Sequence, residues 1–260
     1  MSYYFGMPSL VEFSSIEENV ELCSELGLNF VELNMDLPYC LPEANNVDRL
    51  NELRSKHNVN FTMHFPEEID FATFMPTIRR ANITLFEEIC DFGKQIGVSK
   101  VNIHISKGVH FTLPDKKIKI YEVYKDRFII NLCSAIKELT VIAKQANIKL
   151  CVENTSMPSY IKEAFENIVT IDDVYFTWDI GHDAKDKYSA REFYNRHTDK
   201  IAHMHMHDVD EDKDHRTLFS GSVDIKEKLG FVKENNISTV IEIKTANDLR
   251  ESVERLQNKI

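Results

Sequence analysis

The sequence has no C-x-x-C pair, no run of eighteen consecutive apolar residues and no glycine-rich phosphate loop. Each absence removes a class. Five cysteines, Cys23, Cys40, Cys90, Cys133 and Cys151, are odd in number and widely spaced. They predict neither a disulfide framework nor a thiolate zinc site, and fit a reducing cytoplasm. Without a long apolar run no membrane-spanning helix is expected. The stretch MSYYFGMPSLVEF shows no basic segment leading into an apolar one, so no export signal is read there. Excess positive charge is missing too: the formal net charge is -11. That disfavours a broad grip on nucleic-acid phosphates and favours small-molecule substrates.

What is present is ordinary for a globular chain, with 43% hydrophobic and 28% charged residues. At 260 residues the length suits eight strand-helix units closed on themselves, and we expect one domain over residues 1–260. Short β-branched or aromatic runs alternate with longer amphipathic stretches, as in repeated βα units. Strands are predicted near 3–7, 29–34, 60–64, 100–105, 149–154, 175–180, 201–206 and 239–243. The fold class that follows is α/β, a single (β/α)8 TIM barrel. Ser15 with Glu18, and Ser189 with Glu192, read as helix-starting capping boxes. Tyr121, Tyr124, Phe128, Leu132, Ala135, Leu139 and Ile142 recur at three- and four-residue intervals, predicting the buried stripe of a covering helix. Gly27, Gly93 and Gly97 fall at predicted helix ends, where a left-handed residue suits glycine.

Six consecutive predicted strands finish with a ligand-type side chain. The third gives MHFPEE with His64, the fourth NIHIS with His104, the fifth CVENTS with Glu153 and the sixth TWDIGHD with Asp179 and His182. The seventh gives HMHMHDVD with His203, His205, His207 and Asp208, and the eighth VIEIK with Glu242. In a parallel barrel the C-terminal strand ends meet at one mouth. Several acids converging there without a cation would repel one another and resist desolvation, whereas a divalent ion reverses that penalty. Alternation along the strand points His203, His205 and His207 the same way, so not all of them reach one ion. His203 lies deepest, and a structural role is expected for it.

The series HFP, NIH, ENT, DIGH, HMHD and IE, in strand order and over nearly the whole chain, resembles the xylose isomerase-like barrel superfamily. That group includes sugar isomerases and epimerases and also endonucleases of the endonuclease IV type. The resemblance implies that Glu153, Asp179, His205 and Glu242 ligate one divalent metal, Mn2+ or Zn2+, with Mg2+ or Co2+ as further options. It makes His182 similar to a residue that binds substrate in the epimerases and a further metal in the endonucleases. His64 and His104 match other endonuclease metal positions, and so does His215. The endonuclease pattern is broken, however, because Lys213 stands where that group has an aspartate and Phe219 where it has a glycine. A trinuclear site would then need Asp212 or Asp214 as a substitute.

Two activities follow. The first is a metal-dependent isomerase or epimerase acting on a small sugar or sugar phosphate, which moves a proton through an enediolate held on the metal, with Glu153 and Glu242 as the proton-transferring bases. His182, Lys244 and His207 would then contact substrate, Lys244 sharing a strand face with Glu242. The second is a zinc-dependent AP endonuclease cleaving abasic DNA, using His64, His104, His182 and His215 as additional ligands. A non-enzymatic barrel with a structural metal is a third reading. The segment GSVD at 221–224, with Ser220, offers amides and hydroxyls where barrels often hold phosphate, and reads equally as a turn into a helix capped by Asp224.

Overall fold

Each of the eight strands presents apolar residues on the face that meets the covering helices, while the other face carries polar residues such as Glu32, Thr62, Asn102 and His203. In the computed structural model, which describes residues 3–211 and 213–259, the strands are β1 (Tyr4–Pro8), β2 (Phe30–Asn34), β3 (Asn60–His64), β4 (Lys100–His104), β5 (Lys149–Glu153), β6 (Val174–Asp179), β7 (Ile201–Met206) and β8 (Ser238–Ile241). They close into one parallel barrel in the order β1-β8-β7-β6-β5-β4-β3-β2. The eight predicted strands lie within two residues of these ends. Asp212 falls outside the described residues.

Helices Ile16–Glu25, Val47–His57, Pro76–Gln95, Lys125–Gln145, Ser159–Ile168, Ile225–Asn235 and Ala246–Gln257 cover the barrel, and two short ones, Ile180–Lys185 and Arg191–Arg196, follow β6. Between them and the strands lies a continuous apolar layer that includes Phe61, Phe86, Phe128, Leu139, Phe165 and Trp178. Full burial of each such side chain contributes roughly 1.5–3 kcal/mol. None of the described helices is long and apolar enough to cross a membrane. All five cysteines are free.

Local details depart from expectation in four places. The Ser15 cap forms, its Oγ accepting from the Glu18 amide at 3.3 Å. Ser189 does not cap a helix, because the Arg191 helix begins after Ala190 and the Ser189 hydroxyl is taken by Asp186. The stripe from Tyr121 to Ile142 is interrupted at Tyr124, which is exposed between helices Ile120–Val123 and Lys125–Gln145. Gly27 and Gly97 adopt φ of 69° and 70°, but Gly93 lies within helix Pro76–Gln95. There a Cβ would come 2.6 Å from Met63 Cε, so the glycine serves close packing rather than a turn. Two antiparallel hairpins, His110–Thr112 with Lys117–Lys119 and Asp208–Asp210 with Lys213–Arg216, extend the loops after β4 and β7 and were not expected.

Candidate metal centre

Strand register decides which side chains meet inside the barrel. Asp179 of β6 pairs with His205 of β7, His205 with Val240 of β8, and His104 of β4 with Glu153 of β5. Glu242 follows β8 directly, its amide held by Met206 O at 2.9 Å. Parallel pairing thus lifts Glu153, Asp179, His205 and Glu242 to one level at the C-terminal mouth. One donor atom from each lies within 4.8 Å of the others, and all four residues are buried.

The spacing is informative. His205 Nδ1 stands 3.2 Å from Glu153 Oε2 and 3.3 Å from Glu242 Oε2. Ligands about 2.1 Å from a common ion sit about 3.0–3.4 Å apart, the edge of an octahedron or tetrahedron. Asp179 Oδ2, His205 Nδ1 and Glu242 Oε2 are buried and make no hydrogen bond within the protein. Such atoms are costly unless something else satisfies them. Three carboxylates and one imidazole gathered this closely, with an unmet atom on Asp179, His205 and Glu242, fit a divalent cation.

The remaining candidates surround this set. His64 Nε2 lies 3.6 Å and His104 Nε2 3.3 Å from Glu153 Oε2, and the two rings meet edge to face at 4.7 Å. His182 Nδ1 is 3.4 Å from Asp179 Oδ2, and the His182 amide donates to Asp179 Oδ1 at 2.6 Å. His207 Nε2 is 3.2 Å from Asp179 Oδ1. His207 is fully buried, stacked on His215 at 4.2 Å between centroids, and does not line the open cleft. His215, held at φ 52°, reaches Glu242 Oε1 at 3.5 Å. Lys244 Nζ contacts the same oxygen at 2.8 Å. Asp214 is paired with Lys185 at 2.7 Å, and Lys213 is exposed on the hairpin.

Above the cluster opens a cleft of about 750 Å3, whose lining includes His104, His182, His215, Glu242, Lys244 and Lys107. Burial alone would lower the pKa of His64 and His207. Carboxylate neighbours outweigh it: Glu153 pushes His64 up to about 8, and Asp179 pushes His207 up to about 9. Burial opposes ionisation of Glu153 and Glu242, yet His205 holds Glu153, and Lys244 with His205 holds Glu242, well below the usual carboxylate range.

Three residues that hold the ligands went unnoticed in the sequence. Asn102 Nδ2 donates to Glu153 Oε2. Asn154 brackets Asp179, accepting from its amide and donating to its carbonyl, both at 2.9 Å. Glu32 lies beneath the cluster, 2.8 Å from His205 Nε2. The available signal was a buried acid or amide in or next to a barrel strand, Glu32 in β2, Asn102 in β4 and Asn154 directly after β5.

In the turn at 217–224 the amides of residues 220–223 are already engaged. The Gly221 and Val223 amides donate to Asp208 at 2.8 and 3.0 Å, the Ser222 amide to Val209 O at 2.9 Å, and the Ser220 amide to Thr217 O at 3.2 Å. Asp224 caps the next helix through the Glu227 amide.

The xylose isomerase-like TIM barrel family matches residues 20–259. The chain belongs to this family. Its relatives include an uncharacterized protein of Methanocaldococcus jannaschii, 22% identical over 252 residues, covering 94% of this chain and 92% of the relative. Among solved structures, a D-tagatose 3-epimerase-like protein superposes with a TM-score of 0.82 at 24% identity, over 98% of this chain and 96% of that one. The IolI protein with a bound zinc atom superposes at 0.76 and 18% identity, over 98% and 96%. These likenesses show the shared barrel.

Proposed function

We propose that the protein is a divalent-metal-dependent isomerase or epimerase of a small sugar or sugar phosphate. The observation that carries this reading is the set of four buried donors, Glu153, Asp179, His205 and Glu242, gathered within 4.8 Å beneath an open cleft, three of them with an atom that makes no hydrogen bond. Likeness to a D-tagatose 3-epimerase-like protein supports the substrate class, and the zinc in IolI supports the metal. Mn2+ and Zn2+ suit three oxygens and one imidazole, as do Mg2+ and Co2+. A cation there supplies Lewis-acid polarisation of a carbonyl and its neighbouring hydroxyl, which acidifies the C–H between them.

The chain's own residues do the rest. Glu242 lines the cleft and removes or returns a proton at one face of the substrate carbon. Glu153 lies against His104 and His182, which line the cleft, and serves the other face. Lys244 contacts Glu242 and holds it ionised, while its ammonium also faces the cleft and takes a substrate oxygen. His182, fixed through its amide to Asp179, offers its ring to a hydroxyl. The rim, with Lys107, Lys185 and several hydroxyls, suits a polar polyol better than an apolar ligand.

Proton transfer predicts wash-in. With a ketose substrate in deuterated water, deuterium enters the carbon beside the carbonyl, and His182→Ala raises KM for that sugar while metal content holds. Product formation without solvent exchange would contradict the two-glutamate scheme.

A zinc-dependent AP endonuclease is the second reading. It is favoured by two further ligand groups flanking the first, His64 with His104 and Glu153, and His182 with His207 and His215. Lys213 and the net charge of -11 oppose it. Under the leading reading His64→Asn or His104→Asn keeps one metal, and an abasic-site duplex stays intact. Loss of all metal from either variant, with cleavage by the wild type, would favour the nuclease.

A further inference from the structure

We infer that Glu32, on strand β2, is a positioning residue for the metal ligand His205: it takes the Nε2 side of that ring and turns Nδ1 toward the ion. The inference rests on the reading of the four-residue cluster as a metal site and extends it one layer into the barrel.

The geometry divides the two carboxylate oxygens between two tasks. Oε2 accepts from Thr62 Oγ1 at 3.0 Å and from His203 Nε2 at 3.0 Å. His203 Nδ1 lies 2.7 Å from Ser238 Oγ. An ionised carboxylate only accepts, so the single proton of a neutral His203 sits on Nε2, aimed at Glu32, and leaves Nδ1 bare toward Ser238. Oε2 is therefore saturated, and its partners lock the carboxylate plane. Oε1 is left to His205, whose Nε2 stands 2.8 Å away, within hydrogen-bond distance though off the ideal direction. The other nitrogen of that ring is the one that stands 3.2 and 3.3 Å from Glu153 and Glu242.

A ligating imidazole must present a bare nitrogen, so its proton has to reside on the other one. A carboxylate behind that second nitrogen fixes the tautomer and the ring plane and makes the ligating nitrogen a stronger donor. Packing would not need this arrangement. An apolar residue at 32 would fill the same space between Phe30 and Asn34 without placing a carboxylate where it is 3% exposed in the barrel interior. His203 thus has a place in the scheme as well, one step removed from the ion: it orients Glu32 rather than touching the cluster.

Two measurements on the full chain test this. The metal-stripped protein is titrated with Zn2+ against a chelating competitor, wild type beside Glu32→Gln. The amide keeps the size and loses the charge and one acceptor, and the expected result is roughly 10–100-fold weaker binding with the far-ultraviolet circular dichroism unchanged. Histidine-15N spectra of the zinc-loaded wild type need no variant to fold, and are expected to show His205 ligating through Nδ1 with a slowly exchanging proton on Nε2. Equal affinity in Glu32→Gln, or ligation through Nε2, overturns the inference alone. A wild type that takes up no metal overturns the metal centre and this inference together.

Discussion

Two layers of buried acid and imidazole lie one above the other in the barrel, and only in the upper one are carboxylate oxygens left without a hydrogen bond. In the lower layer Glu32 is met by Thr62, His203 and His205, and His203 by Ser238. In the upper layer Asp179 Oδ2, His205 Nδ1 and Glu242 Oε2 have no hydrogen bond. The turn at 217–224, at the same mouth, resembles the lower layer in that Asp208 and Val209 absorb its amides. Richness in polar groups therefore does not mark a site in this molecule. Residual unmet demand does, and it separates a candidate metal centre from a polar floor and from a turn that merely looks fit for phosphate.

The largest effect should come from the upper layer. Asp179→Asn or Glu242→Gln is expected to weaken divalent-metal binding by more than about 100-fold, beyond the range usual for outer-shell changes, while the metal-free barrel stays folded. Competition titration with circular dichroism reads both. Retained affinity in either variant would make the two layers equivalent.

Next comes the pH dependence of stability, which should have opposite signs with and without metal. In the metal-free protein His64 and His207 have pKa values raised to about 8 and 9 from an ordinary 6.5. A raised folded-state pKa contributes stability that is complete below about 6.5 and is lost as pH climbs through 8 and 9. For His64 the amount is about 2 kcal/mol, from 1.4 kcal/mol per pKa unit. Metal binding instead favours deprotonated ligands and strengthens as pH rises. Melting temperatures between pH 6 and 9 should therefore fall in chelator and hold or rise with Mn2+. Parallel curves would contradict the assignment.

Apart from Glu32 itself, the lower layer should respond in stability more than in affinity. Thr62→Val removes one donor from a buried carboxylate and is expected to cost about 1–3 kcal/mol in chemical denaturation. Its metal affinity should stay within about threefold of wild type, well short of the outer-shell range. Smallest of all should be Ser222→Ala in the turn, within about 0.5 kcal/mol of wild type and without change in KM for a phosphorylated or unphosphorylated sugar. A raised KM confined to the phosphorylated sugar would reinstate phosphate binding there.

Much of this architecture was readable from periodicity. The eight strands could be placed within two residues because each apolar run is short and bounded, and the upper-layer ligands stood out because strand ends in a parallel barrel share a mouth. Glu32 escaped because its partners come from β3 and β7, and only the register of Glu32 with Thr62 and the closure of the sheet bring them together. Asn102 and Asn154 were passed over for a similar reason, their role being to hold another side chain or backbone rather than to finish a motif. The break at Tyr124 was hidden by an unbroken three-and-four spacing, which encodes burial of a face but not where one helix yields to the next.

The most direct test is a crystal of the protein grown with Mn2+ or Zn2+ and measured at the metal's absorption edge. The strongest anomalous peak is predicted among Glu153, Asp179, His205 and Glu242, about 2.0–2.3 Å from one atom of each, with His205 contributing Nδ1. A peak confined to His182, His207 and His215, with the four-residue cluster left empty, would contradict the account.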